Sequence, residues 1–337
     1  MPIVALVGTL SLPGGVVLWR WRQPRGRFDR RMRSRPFVAA VVLTLLFACV
    51  ETRGQDRPLF SANAELVVLH VTVTDKKGTY VSGLSREAFA VFENGQPQPI
   101  ELFTNQDAPA TIGVLIDGSG SMQPHRELMI AAATAFAEAS HPQDELFALR
   151  FNETVHSALP DDAPFTNDAG VLRAALTGSI SARGRTALYD TISAGLNYLG
   201  RGRQERKVLV IVSDGGDNAS ATTFQDLLTK IRTSNALIYI VALVDAVYSD
   251  ANPKVLRQIA QATGGDMFLP TDTRQMIQVL TQIARDIRNS YTIGYMPATM
   301  PPDGAFHRLR VIVQSPDRRS LVVRTRTGYL AGSMKAK

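Results

Sequence analysis

The sequence predicts an α/β fold: a doubly wound, mostly parallel sheet with a small β-sandwich built from the strands on either side of it. Three observations lead there. Ile112–Ile116, Lys207–Ser213 and Leu237–Val244 are almost unbroken apolar runs, as expected of strands buried on both faces of a parallel sheet. Segments of helical periodicity separate these runs, giving the βαβ rhythm of a sheet with helices on both sides. Outside residues 108–290 the texture changes to alternating strands and hairpin turns.

In chain order, Glu65–Thr74 has strand propensity and alternates from Leu69 onward. Asp75-Lys-Lys-Gly78 is a turn, and Tyr80-Val81 resumes a strand. Ser85 caps a short helix through Phe89. Phe89–Phe92 is apolar, and Asn94-Gly95 is a strong hairpin signal, with Gln98–Phe103 pairing back as one strand. Residues 65–105 thus form an N-terminal β segment.

The first buried strand ends at Asp117, and Gly118 and Gly120 bend the chain after it. Pro124 suits the first turn of the helix that follows, whose Leu128, Ala131, Ala132, Ala135, Phe136 and Ala139 recur at helical spacing. Glu145–Phe151 reads as a strand with Thr154–Leu159 as its hairpin partner, and Asp168 starts a helix. The polar loop 179–186 leads to a helix near Ala187–Leu199. Thr222–Ser234, Pro253–Thr263 and Thr273–Arg288 are helical, and Met267–Leu269 is a short strand. Tyr291–Met296, Leu309–Gln314 and Ser320–Arg326 return to strand texture, with a turn at Ser315-Pro-Asp317. Too few to stand alone, these strands of residues 291–331 are expected to pack with those of 65–105.

Charge is concentrated at the start of the chain. Of the net +7 of the 337 residues, the whole excess lies in residues 1–54, where nine arginines face only Asp29 and Glu51. The remainder is neutral and offers no basic face for nucleic acid. Arg30–Arg35 followed by the apolar residues 36–50 reads as a secretory signal over about 32–54, short for a spanning helix. Met32 is the expected true start, with residues 1–31 a misplaced beginning. Cys49, the single cysteine, lies in this signal, so the mature chain has no disulfide. Leu46-Phe-Ala-Cys49 also has the form of a lipoprotein signal. Membrane contact is therefore expected only through a retained signal anchor or a lipid on Cys49, and the location is secreted or periplasmic.

Oxygen donors gather in three loops at or beside predicted strand ends: Asp117, Ser119 and Ser121, then Thr186, then Asp214. No cysteine is at hand and the histidines have no metal-ligand spacing. An all-oxygen set selects a hard divalent cation, Mg²⁺, Mn²⁺ or Ca²⁺, over zinc. So few carboxylates leave the ion under-neutralised, with room for an outside Asp or Glu. Asp217 rivals Asp214, and Asp217 and Asn218 read as a solvated turn. Arg183 and Arg185 are loop charges able to steer an acidic partner.

Asp117-Gly-Ser-Gly-Ser121, after an apolar strand and before a helix, resembles the signature of the von Willebrand factor type A domain. Gly184-Arg-Thr-Ala-Leu188 matches its threonine position at Thr186, and Asp214 before Gly215 matches its last aspartate. The resemblance covers about residues 108–290. Val71-Thr-Val-Thr-Asp75 and Phe92-Glu-Asn-Gly95 resemble secreted bacterial proteins that carry such a domain. It implies a doubly wound, Rossmann-like fold, a metal-ion-dependent adhesion site with Mg²⁺ or Mn²⁺, and binding of a protein ligand through its carboxylate. Two other functions remain open: an envelope assembly part with a vestigial site, and a hydrolase using Ser119 or Ser121 with His125 as base. Against the hydrolase, the Gly-x-Ser-x-Gly elbow is missing and no Asp-His pair is evident; Gly118-x-Gly120 lacks the third glycine of a dinucleotide fingerprint, and the sequence has no phosphate loop.

Overall fold

The computed structural model describes residues 66–179, 184–243, 252–297, 304–314 and 320–331. The expected targeting segment 1–54, Ser181 and Arg183, and the turn 315–317 lie outside the described residues.

Four strands come first: β1 (Val67–Asp75), β2 (Phe89–Glu93), β3 (Gln96–Gln98) and β4 (Leu102–Thr104). The α/β region then runs β5 (Ala110–Asp117), α1 (Arg126–Ala139), β6 (Glu145–Phe151), β7 (Val155–Ser157), α2 (Ala169–Ser179), α3 (Leu188–Leu199) and β8 (Arg206–Ser213). It continues through α4 (Phe224–Thr233), β9 (Leu237–Ala242), α5 (Pro253–Thr263), β10 (Met267–Phe268) and α6 (Thr273–Asn289). The last strands are β11 (Tyr291–Tyr295), β12 (Phe306–Val313), β13 (Leu321–Arg324) and β14 (Gly328–Leu330).

The central sheet has the order β10-β9-β8-β5-β6-β7, parallel except for the edge strand β7. The fold class is therefore the one the apolar runs predicted. Every residue of β5 and β9 is buried, because helices cover both faces. On one face α1, α2 and α6 set Met129, Phe136, Leu172 and Ile283 against Ile112, Val114, Val210 and Val241. On the other, α3, α4 and α5 set Ile192, Leu227 and Ile259 against Leu115, Leu209 and Ile240. From β5 the chain winds to β6 on one side and later to β8 on the other. That reversal of direction opens a crevice at the carboxyl end of β5, where α/β sheets hold their ligands.

The flanking strands make two antiparallel four-stranded sheets, β13-β1-β11-β4 and β14-β12-β2-β3. β1 pairs with β11 over Val67–Val71 and with β13 over Thr72–Asp75, so the strand before the α/β region is enclosed by strands after it. Leu69, Val71, Phe89, Val91, Tyr291, Ile293, Val311 and Tyr329 fill the space between the sheets. Asn94 (φ 49°) and Gly95 (φ 84°) turn the β2–β3 hairpin with positive φ, as the Asn-Gly pair predicted.

Three local expectations need correction. Gln98–Phe103 is not one strand: β3 pairs with β2 whereas β4 pairs with β11 in the other sheet. Pro99, which has no amide to donate, follows β3 directly, and Ile100 drops into the core between the two pieces. β12 begins at Phe306 rather than Leu309, because Phe306–Arg308 pair with the unexpected strand β14. Pro124 lies inside a 3₁₀ turn, Gly120–His125, and α1 starts only at Arg126.

The sandwich is fastened to the amino ends of the parallel strands and to α6. Arg324 pairs with Asp266 and, at 2.8 Å, with the buried Asp286. Arg326 donates to Asn235 Oδ1 at 2.9 Å and to the Arg232 carbonyl at 3.0 Å. Buried Arg206 donates to the Ile287 carbonyl and to Thr292 Oγ1. Among the described residues these contacts lie away from the carboxyl ends of the parallel strands. Among the described residues no helix is long and apolar enough to cross a membrane.

Candidate metal centre

Asp117 is the last residue of β5 and is fully buried. Its two oxygens are held from two loops. Oδ1 accepts the Ser119 amide at 2.9 Å, an Asx-type turn that curls the loop back over the strand end. Oδ2 accepts Ser213 Oγ at 2.6 Å from the end of β8. The Gly118 amide donates to the Phe151 carbonyl at 2.6 Å, tying the same loop to β6. The loop after β5 and the end of β8 thus fix the carboxylate, and β6 holds that loop.

The serines complete a chain of oxygens. Ser119 Oγ lies 3.1 Å from Ser121 Oγ, and Ser121 Oγ donates to Asp214 Oδ2 at 2.5 Å. Asp214 follows β8, and its Oδ1 accepts the Gly216 amide at 3.1 Å. Gly215 between them has φ 88°, and a Cβ there would meet Leu256 Cδ1 at 2.6 Å. Glycine is thus needed both for the turn and for the close approach of α5.

Thr186 arrives by backbone contacts. The Gly120 amide donates to the Gly184 carbonyl at 3.3 Å, joining its loop to the serine loop. The Thr186 amide donates to Asn218 Oδ1 at 2.9 Å, and the Thr186 carbonyl accepts the Asn218 and Ala219 amides at 3.0 Å each. The residue is buried. Among the described residues its hydroxyl makes no hydrogen bond to the other four predicted ligands.

Asp117, Ser119, Ser121 and Asp214 therefore share one hydrogen-bonded cluster, and Thr186 sits in the adjoining loop. Two residues of this centre escaped the sequence reading. Ser213 looked like the polar end of an apolar strand, which is the signal that could have found it. Asn218 is exposed, as a solvated turn would be, yet its side chain holds Thr186.

The electrostatics suit a cation. Asp117 and Asp214 are both buried, and among the described residues no cationic side chain forms an ion pair with either. Burial pushes the Asp117 carboxyl up to about 6; the hydrogen bonds from Ser213 and Ser119 pull it back in part, and the Asp214 charge adds to the rise. Two carboxylates and two hydroxyls within reach of one another, with no positive partner, are a hard-oxygen donor set. Among the described residues no group of three His, Cys, Asp or Glu that could hold a metal gathers anywhere; this centre has two carboxylates and relies on hydroxyls for the rest. Neither Ser119 nor Ser121 is hydrogen-bonded to His125 among the described residues; both face oxygens instead.

Comparison with known proteins adds the following. The model of the von Willebrand factor type A domain family matches residues 111–283. Similar solved structures include a von Willebrand factor type A protein from Catenulispora acidiphila, at 14% identity and a TM-score of 0.47, covering 80% of this chain and 75% of that one. The von Willebrand factor domain of the type V pili tip protein Mfa5 from Porphyromonas gingivalis is 14% identical with a TM-score of 0.42, covering 54% of this chain and 95% of that one. The PilB minor pilin from Streptococcus sanguinis is 12% identical with a TM-score of 0.44, covering 58% of this chain and 64% of that one. No curated protein matches.

Proposed function

Because the chain belongs to the von Willebrand factor type A domain family, we propose that it is a non-enzymatic binding module of the bacterial cell envelope or exterior that works through a divalent cation. Asp117, Ser119, Ser121, Thr186 and Asp214 would hold Mg²⁺ or Mn²⁺, with Ca²⁺ as the larger alternative. The ion would supply a Lewis-acidic position to which a carboxylate of a protein partner binds. The chain's own contribution is to hold two carboxylates and two hydroxyls in place before the ion arrives, with half-buried Ser121 the least buried of the cluster.

One observation carries this reading. The Ser119–Ser121–Asp214 oxygens form a continuous chain across two loops beside buried Asp117, with no cationic side chain paired to either carboxylate among the described residues. Burying two unpaired negative groups is costly, and a divalent ion removes that cost. The signal expected over 32–54 from the sequence and the neutral charge of the remainder favour a place outside the cytoplasm and a protein, not a nucleic acid, as partner.

The test is a pull-down from envelope extract with the purified chain, in Mg²⁺ and in chelator, with Asp117→Ala as control. The expected result is one or more proteins retained only by the unaltered chain in Mg²⁺. Retention of the same proteins in chelator, or by Asp117→Ala, would contradict it.

A further inference from the structure

The polar run that follows Asp214 closes on the segment carrying Thr186. Asn218 does so on both sides of one residue: its Oδ1 accepts the Thr186 amide at 2.9 Å, and its own amide donates to the Thr186 carbonyl at 3.0 Å. Further along, Asp217 Oδ1 accepts the Tyr189 amide at 3.2 Å and Ser220 Oγ accepts the Asp190 amide at 3.1 Å. Asp190 answers by accepting the Ala221 and Thr222 amides at 2.8 and 2.9 Å. The loop after β8 is thus clasped to Thr186 and to the first turn of α3.

Within this clasp Asn218 has a distinct place. Gly184, two residues before Thr186, has φ 91°, and the Ala187 amide just after is held by the Asn152 carbonyl at 2.7 Å. Between that glycine turn and that fixed amide, the Thr186 amide is oriented by the Asn218 side chain. Thr186 Oγ1 is not hydrogen-bonded to the other predicted ligands among the described residues, so the placement of its backbone governs how near the hydroxyl comes to them. We infer that Asn218 is a positioning residue: it sets the Thr186 hydroxyl relative to Ser119, Ser121 and Asp214, and so tunes cation affinity without itself touching the ion. This rests on the metal-binding reading given above. Partners behind a metal ligand typically alter affinity by about 10–100-fold.

Mn²⁺ affinity, read from the electron paramagnetic resonance of the free ion, tests this on the full chain and three variants, with thermal unfolding in chelator alongside. Asn218→Ala is expected to bind Mn²⁺ about tenfold more weakly. Asn218→Asp, which keeps the acceptor for the Thr186 amide, is expected to bind at least as well as the unaltered chain. Ser220→Ala, which loosens the same clasp at Asp190 rather than at Thr186, is expected to stay within about twofold, below the effect of a lost positioning partner. If Asn218→Ala binds normally, or if Ser220→Ala or Asn218→Asp weakens binding as much as Asn218→Ala, the positioning role is overturned. Should Asn218→Ala not fold, failure of Asn218→Asp to retain affinity still overturns it. An unaltered chain that binds no Mn²⁺ overturns the metal reading as well, which a loss confined to the variants does not.

Discussion

Ser121 Oγ donates to Asp214 Oδ2 at 2.5 Å, joining two loops whose residues are 93 positions apart in the chain. The bond exists because β5 and β8 are neighbours in the sheet, so the loops leaving their carboxyl ends share one crevice. A hydroxyl that donates to a carboxylate keeps its lone pairs for something else. That is the chemistry expected of a residue that both steadies a ligand and is one.

Ser121→Ala separates those two roles. A hydrogen bond to a charged group contributes about 1.5–3 kcal/mol, so in chelator the variant should unfold with that much less stability. Saturating Mg²⁺ should raise the stability of the unaltered chain by about 2.7 kcal/mol at a hundredfold excess over Kd, and should leave Ser121→Ala nearly unmoved. Thermal unfolding with and without Mg²⁺ measures both. An equal Mg²⁺ effect in the two proteins would remove Ser121 from the ligand set.

The seam between the sandwich and the parallel sheet depends on Arg324. It is the ion-pair partner of Asp286, which is 2% exposed and also accepts Gln282 Nε2 at 2.7 Å. Burial pushes the Asp286 carboxyl upward and Arg324 opposes that rise. Arg324→Met leaves the carboxylate buried without its cation, an uncompensated charge that costs about 3–5 kcal/mol. Chemical denaturation should show that loss, and Arg324→Met combined with Asp286→Leu should recover most of it. A single variant as stable as the unaltered chain would mean the pair does not hold the seam.

Stability should also fall in mild acid through His70. This side chain lies part-buried on β1 near Arg206 and Arg326, and its pKa is pushed down from 6.5 to about 3, by burial first and by the two arginines next. Between those values the unfolded chain holds a proton that the folded chain does not. Stability therefore rises with pH across this window, by up to about 1.4 kcal/mol per pH unit. Asp144 and Asp286, raised by burial, tilt the curve the other way. The difference between the unaltered chain and His70→Asn isolates the histidine. Urea denaturation from pH 7 to pH 4.5 should give a shallower acid limb in His70→Asn; parallel curves would contradict it.

How far residues alone revealed this molecule varied with the physics of each part. β5, β8 and β9 were legible because a strand covered on both faces loses its alternation and becomes a continuous apolar run. The Asn94-Gly95 hairpin was legible because few other residues accept positive φ in succession. β14 was not, since three residues carry no period and their pairing with Phe306–Arg308 is set by tertiary structure. The split of Gln98–Phe103 between two sheets also follows from tertiary pairing, not local preference. At the centre, Asp117, Ser119, Ser121 and Asp214 stood out as oxygen donors at strand ends. Ser213 and Asn218 did not, because their hydrogen bonds to Asp117 and Thr186 leave no mark on spacing.

The central claim is that the oxygens around Asp117 bind one divalent cation. Titration calorimetry of the full chain with Mn²⁺ tests it most directly, with Asp117→Ala beside it and circular dichroism to show that the variant is folded. The account predicts one site per chain in the unaltered protein and no measurable heat of binding in folded Asp117→Ala. Equal binding by both proteins, or none by the unaltered chain, would contradict it.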